Sequence, residues 1–406
     1  MSPNFGLSAV ILIRLSPCRR PLPKDLATLA ACPRACQFCP MHRFLTTHAA
    51  SLPSTVPFTG PEALERQSGT AFRARLGANE TLFGPSPRAV QAMQTAAAEA
   101  WMYGDPENHD LKAALARHHR TTPAHIATGP GIDGLLGQIC RLTLDPGTPV
   151  VTSLGAYPTF NFHVTGYGGA LTRVAYRDNH EDPDALLDAA KRTGARLIYF
   201  ANPDNPMGSH HCARAVEDMV ANLPAHTLLI LDEAYADLAP PGTIPVLAAD
   251  HPQVIRLRTF SKGYGLAGAR VGYAIAHPDL VLAFDKVRDH FGMSRISQAG
   301  ALAALADQDW LGLMQTWMVR ARARLGDIAT ANGLTPLASA TNFVTIDCGR
   351  DGDFARKVLV GMGALGVFIR MPGVAPLDRC IRISLGDDAA LDCVAETLPR
   401  ALAAAR

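Results

Sequence analysis

Short apolar runs alternate with stretches of helical period through the middle of the chain. Segments 148–152, 196–201, 227–231, 254–258 and 271–276 are apolar and partly β-branched, which predicts buried strands. Around and between them, 88–100, 108–119, 183–193 and 213–222 have the spacing of helices. This alternation predicts an α/β fold whose large domain is a mostly parallel sheet flanked by helices. A long helical region follows over 278–331. Segments 343–348, 367–371 and 380–385 then read as strands, with a helix at 353–362, which predicts a smaller C-terminal α+β domain. The expected division is an extension at 1–50, an N-terminal arm at 51–85, a large domain at 86–288 and a small domain at 289–406.

Composition narrows the class. Of 406 residues, 48% are hydrophobic and 18% charged, which fits a globular chain with a large core and excludes collagenous, coiled-coil and disordered classes. No apolar run approaches the ~18 residues of a membrane helix. The net charge of +2 conceals an asymmetry. Residues 1–50 hold six basic residues and one acid, leaving 32 basic and 35 acidic residues in the rest, a net of −3. A body without basic excess gives no footprint for nucleic acid.

Residues 1–50 carry scattered Pro and Arg and no sustained period. They read as disordered or as lying upstream of the true start, with Met41 a sensible first residue. Cys32, Cys36 and Cys39 have the spacing of a cluster-binding loop, but no barrel follows to complete such a site. The nine cysteines show no disulfide framework, so a reducing cytoplasm is expected. The pairs His118-His119 and His210-His211 do not face one centre, so no metal site is expected. Glu181 and Asp182 read as a solvated turn.

In open parallel sheets ligands bind beyond the carboxyl ends of the strands. There the chain places Asn202-Pro-Asp-Asn205-Pro206, then Asp232-Glu-Ala-Tyr235, then Thr259-Phe-Ser261-Lys262. An amide, an acid and an amine thus come to one sheet edge. Gly129-Pro-Gly131-Ile132-Asp133-Gly134 opens a helical pattern, and free N–H groups at such a turn suit a phosphate. Ser261 and Arg270 would complete the phosphate cage. Together these describe a site for pyridoxal 5'-phosphate. Lys262 supplies the amine for a Schiff base, and Asp232 keeps the ring nitrogen protonated. Asn205 and Tyr235 bond the ring's phenolate oxygen.

These blocks, with the run Thr259-Phe-Ser-Lys-Gly-Tyr-Gly-Leu-Ala-Gly-Ala-Arg-Val-Gly-Tyr273, resemble the signatures of fold-type-I (aspartate aminotransferase-like) pyridoxal-phosphate aminotransferases. Within that superfamily the chain is most similar to histidinol-phosphate aminotransferases, from about residue 76 to 398. The resemblance implies that Asn79 and Asn342 line the substrate site and that Tyr157 stacks on the cofactor ring. It implies that Arg382 clamps a substrate carboxylate and that Arg370 meets a distal phosphate. It also implies that Tyr103 reaches the cofactor of a neighbouring subunit, so that a homodimer shares its active sites. Ile381 and Ile383 flank Arg382, and strand alternation sends the arginine to the face opposite theirs.

The chain departs from the family pattern at Met207, where Thr is usual, and at Ile132 and Gly134 in the phosphate turn. The expected reaction moves an amino group between an amino acid or amino alcohol phosphate, histidinol-phosphate-like or aromatic, and a 2-oxo acid such as 2-oxoglutarate. The alternative is decarboxylation, as in the similar threonine-phosphate decarboxylases. The partners expected are these small molecules and a second copy of the chain.

Overall fold

A computed structural model describes residues 44–54 and 58–406. The cluster Cys32/Cys36/Cys39 and most of the 1–50 extension lie outside the described residues. The described residues 44–52 belong to a unit of their own, in which the short helix Thr47–Ser51 is capped by Thr46. Pro53–Arg406 is a second compact unit, and it contains all the candidate chemistry.

Twelve strands occur among the described residues. They are β1 (Ala74–Arg75), β2 (Ile126–Gly129), β3 (Pro149–Ser153), β4 (Ala170–Val174), β5 (Leu197–Ala201), β6 (Leu228–Asp232), β7 (Val254–Thr259), β8 (Gly272–Ile275), β9 (Thr335–Pro336), β10 (Phe343–Asp347), β11 (Val367–Phe368) and β12 (Cys380–Ser384). Seven form the main sheet in the order β2-β8-β7-β6-β5-β3-β4. From β4 to β7 every pairing is parallel, and β8 runs antiparallel to both its neighbours. The expected α/β class with a mostly parallel sheet is therefore the one observed.

The apolar runs are continuous because both faces of the sheet are covered. Leu197, Tyr199 and Ala201 of β5 pack into one core with the helix Gly131–Thr143, while Ile198 and Phe200 pack into another with Pro183–Thr193 and Ala213–Ala221. The same parity holds on β6, where Ile230 joins the first core and Leu229 and Leu231 the second. Asp232, two residues beyond Ile230, therefore emerges on the same side as Tyr199.

The smaller sheet has the antiparallel order β12-β10-β9, and β1 pairs parallel with β11. Its core is buried beneath the helices Gln308–Ala331, Gly352–Ala364 and Asp388–Ala405, and it includes Ala74 and Leu76. The expected helical region 278–331 resolves into three helices, Pro278–Phe284, Arg295–Ala306 and Gln308–Ala331. The first ends before the Gly292 turn, and Ser294 caps the second by accepting from the N–H of Ser297. The strand expected at 367–371 is shorter, yet Arg370 still bridges to Arg382 through backbone hydrogen bonds.

Candidate active site

The carboxyl ends of β5, β6 and β7 deliver the expected groups. Asp232 closes β6 and is 5% exposed. Its Oδ2 accepts from the Tyr199 hydroxyl at 2.6 Å and its Oδ1 from the N–H of Ala234 at 2.9 Å. Burial raises its pKa to about 6, against the lowering effect of these two donors. Glu233 points to the opposite side, as the alternation requires. It is held by Arg256 at 2.8 Å and Arg258 at 2.9 Å.

Lys262 follows β7. Its Nζ donates to the carbonyl of Asn79 at 2.9 Å and lies 5.8 Å from the centre of the Tyr235 ring. Burial, and next the positive charge of Arg382, lower its pKa to about 8. Asn79 ties the site together. It sits at φ 54°, a left-handed conformation that asparagine tolerates better than most residues. Its Nδ2 donates to Tyr235 Oη at 3.0 Å, its Oδ1 accepts from Ser384 at 3.1 Å, and its carbonyl also accepts from Asn342 Nδ2 at 2.9 Å.

Arg382 leaves β12 on the face opposite Ile381 and Ile383, both fully buried. It donates to Asn205 Oδ1 and, at 3.1 Å, to the carbonyl of Gly77. Burial lowers its pKa to about 10, and its Nε has no partner. Arg370 donates to the carbonyl of Thr59 at 2.6 Å and lies against the rings of Phe58 and Phe368. Phe58 in turn stacks on Tyr157, with centroids 6.1 Å apart.

The phosphate turn has the expected form. Gly131 opens its helix at φ 77°, where a side chain is strained, and a Cβ there would collide with the Arg270 guanidinium. Arg270 donates to Ser261 Oγ at 3.2 Å, so helix terminus, hydroxyl and guanidinium converge. Ile132 is buried in the core beneath the sheet, so the departure there is one of packing. The Asp133 side chain turns to His163 at 2.8 Å, and its backbone N–H lies in the first helical turn, where no intrahelical acceptor is available. At Gly134 a Cβ would stand 2.6 Å from Pro130 Cγ, so this departure follows from the proline four residues earlier.

Tyr103 is not brought to the other site residues of its own chain. Its ring is 75% exposed and stacks on Phe291 at 4.4 Å. The reading of Glu181 and Asp182 as a solvated turn is corrected. Glu181 is 1% exposed and accepts from Ser153 and the Ala201 N–H, while Asp182 caps the helix Pro183–Thr193. Sequence reasoning also missed Tyr199, Ser384 and Phe58. Tyr199 was within reach of strand parity, since it shares the face of Asp232. Ser384 and Phe58 carry no such signal.

The residues present fit a phosphorylated pyridine aldehyde. A low-pKa amine, a buried carboxylate, a phenol and amide, and an anion cradle open to backbone N–H groups all face one region. The unpartnered Nε of Arg382 and Oδ1 of Asn342 are further buried polar atoms there.

Comparison with known proteins agrees. The profile of the family described as "Aminotransferase class I and II" matches residues 74–398. The histidinol-phosphate aminotransferase of Moorella thermoacetica is 31% identical over 83% of this chain and 87% of its own length. The aromatic amino acid aminotransferase of Thermobifida fusca is 36% identical over 80% and 90%. The crystal structure of histidinol-phosphate aminotransferase from Sinorhizobium meliloti, in complex with pyridoxal-5'-phosphate, is 55% identical. It covers 88% of this chain and 97% of that one, with a TM-score of 0.86.

Proposed function

The chain belongs to the class I and II aminotransferase family, with the fold-type-I architecture, and on that footing we propose how its residues divide the work of a pyridoxal-phosphate-dependent transaminase. The observation that carries the assignment is the placement of the Lys262 amine on the Asn79 carbonyl, with Asp232 buried at the adjoining strand end. When bound, pyridoxal phosphate supplies the aldehyde that takes up the amino group and the cationic ring that accepts the electron pair left on the substrate carbon.

Asp232 holds a proton at the ring nitrogen, with Tyr199 and the Ala234 N–H fixing the carboxylate. Tyr235 and Asn205 would hold the cofactor as donors to its phenolate oxygen, and Tyr157 would supply an aromatic wall for its ring. Gly131, Ile132 and Asp133 offer backbone N–H groups to the phosphate, beside Ser261 and Arg270. Lys262, with a pKa of about 8, has a neutral fraction near pH 7 and would serve as the base that takes the proton from the substrate α-carbon.

Arg382 takes the carboxylate of an amino or oxo acid in a bidentate grip. Arg370 stands farther out, between Phe58 and Phe368, and suits a second anion. The Phe58–Tyr157 stack offers a flat apolar wall for an aromatic or imidazole ring. The donor that fits these features is an aromatic amino acid or an imidazole-bearing amino alcohol phosphate, with 2-oxoglutarate as acceptor. The exposed cluster Trp101, Tyr103 and Phe291 supports a homodimer in which Tyr103 serves the site of the second copy. No described helix is long and apolar enough to cross a membrane, and we place the enzyme in the cytoplasm.

The test is a donor screen on the purified holoenzyme with 2-oxoglutarate. Glutamate formed from histidinol phosphate or from an aromatic amino acid supports the reading. Carbon dioxide release without glutamate overturns it, as does turnover in Lys262→Ala close to that of the wild type.

A further inference from the structure

Two acids that the proposed chemistry does not use are buried at the segment that carries Asn205. Glu181 and Asp204 are 1% and 2% exposed. Glu181 Oε2 accepts from Ser153 Oγ at 2.7 Å and Oε1 from the N–H of Ala201 at 3.1 Å. Asp204 Oδ1 accepts from the Tyr176 hydroxyl at 2.9 Å and Oδ2 from the N–H of Met207 at 3.0 Å. The two carboxyl groups are also within hydrogen-bond reach of each other.

The groups facing this pair offer no close cation to balance two charges. Tyr176 and Tyr199 are neutral phenols. His211 sets its Nε2 against the Glu181 carbonyl at 2.7 Å, and burial lowers its pKa, as it does that of His210. His180 and Arg382 act on Asp204 through their charge, and Asp182 acts on His211. Two carboxylates in contact and out of water do not both ionise. Burial, and next the charge of Asp204, push Glu181 well above the usual carboxyl range, and burial raises Asp204 as well.

We propose that Glu181 and Asp204 share one proton, and that this O–H···O⁻ bond is a positioning device that holds segment 202–209 so that Asn205 meets Arg382. The inference rests on the reading of Asn205 and Arg382 as binding residues. Asp204 adjoins Asn205 and braces the segment three times. Its side chain accepts from Met207, its N–H donates to the Ser209 carbonyl at 2.9 Å, and its carbonyl accepts from Gly208 at 3.1 Å. Losing the shared proton sets two like charges against each other in a medium of low dielectric and drives the segment away from Glu181. Substrate binding then weakens at alkaline pH through groups that touch no substrate.

Infrared spectroscopy of the holoenzyme at pH 8 tests the shared proton directly. The expected result is a protonated carboxyl band that disappears in both Glu181→Gln and Asp204→Asn, where an amide donates in its place. Steady-state kinetics tests the consequence. The alkaline rise in KM for the amino donor should move up by about one pH unit or more in either variant, with kcat near neutral pH within a few-fold of wild type. Absence of the band from the wild type, its persistence in both variants, or an unmoved alkaline limb in both would overturn the proposal. The wild-type band needs no variant, so a substitution that fails to fold leaves the test standing. Should the transaminase reading fail instead, turnover is missing while the band remains.

Discussion

The Tyr199 hydroxyl donates to Oδ2 of Asp232 across one strand pair, at 2.6 Å, with both side chains sealed from water. Tyr199 is itself fixed by stacking on Phe160 at 4.6 Å. Its donor stabilises the ionised carboxylate against a burial penalty that already raises the pKa to about 6. In Tyr199→Phe that donor is gone, and the Asp232 pKa rises further. The acid limb of kcat/KM should then move to higher pH, with a loss of about 10-fold or more at neutral pH, since a hydrogen bond to a charged group contributes roughly 1.5–3 kcal/mol. A pH–rate profile of the variant checks this, and an unmoved acid limb counts against the role.

Asp232 should weaken the cofactor-free protein. Its folded-state pKa of about 6 exceeds the ordinary 3.8, so between these values the folded state binds more protons than the unfolded one. Stability from this group therefore falls as pH rises from about 4 to 6 and stays reduced above, by on the order of 3 kcal/mol. Asp232→Asn, whose amide oxygen can still accept from Tyr199, should raise the melting temperature of the cofactor-free protein at pH 8 while abolishing most activity. Thermal unfolding of the two proteins at pH 4 and pH 8 decides it, because the gain should appear only at the higher pH.

Lys262 gives the opposite slope in a different window. Its pKa of about 8 lies below the ordinary 10.5, so the unfolded state binds more protons between these values. Stability of the cofactor-free enzyme should rise with pH across about 8 to 10.5 from this group. In Lys262→Met that rise should flatten. Parallel urea titrations at pH 8 and pH 10 on both proteins measure the difference, and equal slopes would remove the lysine from the account.

How much of this was legible in the chain depended on whether a residue's environment is local. β5 and β6 could be read because both their faces are covered, which makes them unbroken apolar runs bounded by polar ends. Arg382 could be oriented because its neighbours Ile381 and Ile383 define a face. β4 escaped notice because it is an edge strand with no fully buried residue, exposed at Ala170 and Arg173, and β2 because it has four residues. Ser384 and Phe58 depend on how distant segments meet, which no local period records. Glu181 was misread because an acid before a proline in a polar stretch looks solvated. Its burial follows from β3 and β5 closing over it through Ser153 and Ala201.

Arg382 and Arg370 should separate in their kinetic effects. Arg382 donates to Asn205 and Gly77 and faces the centre of the site, whereas Arg370 is braced by Thr59 and two phenyl rings at its rim. Arg382→Lys keeps the charge and loses the planar fork, so kcat/KM for 2-oxoglutarate should fall by about 10- to 100-fold. Arg370→Ala should penalise the substrates that carry a distal anion, 2-oxoglutarate and a phosphorylated donor, far more than an aromatic amino acid. Equal losses for all three substrates would mean that the two arginines serve a single anion.

The phosphate turn offers a test by paired substitution. Pro130 and Gly134 lie one helical turn apart, and the space a Cβ would take at 134 is filled by the proline ring, 2.6 Å away. Gly134→Ala alone must push Pro130 aside and with it the adjoining Gly131, whose position against Arg270 leaves no slack. Overpacking of this kind costs about 1–3 kcal/mol, and here it falls on the residues proposed to hold the cofactor phosphate. The single variant should therefore bind pyridoxal phosphate more weakly, by about 10-fold or more. In Pro130→Ala/Gly134→Ala the clash is gone, and alanine is the better helix former at 134, so affinity should return. The two substitutions should thus be strongly non-additive in a double-mutant cycle read by cofactor titration. Additive losses would show that the proline ring and the glycine act independently, and that the departure at 134 has another cause.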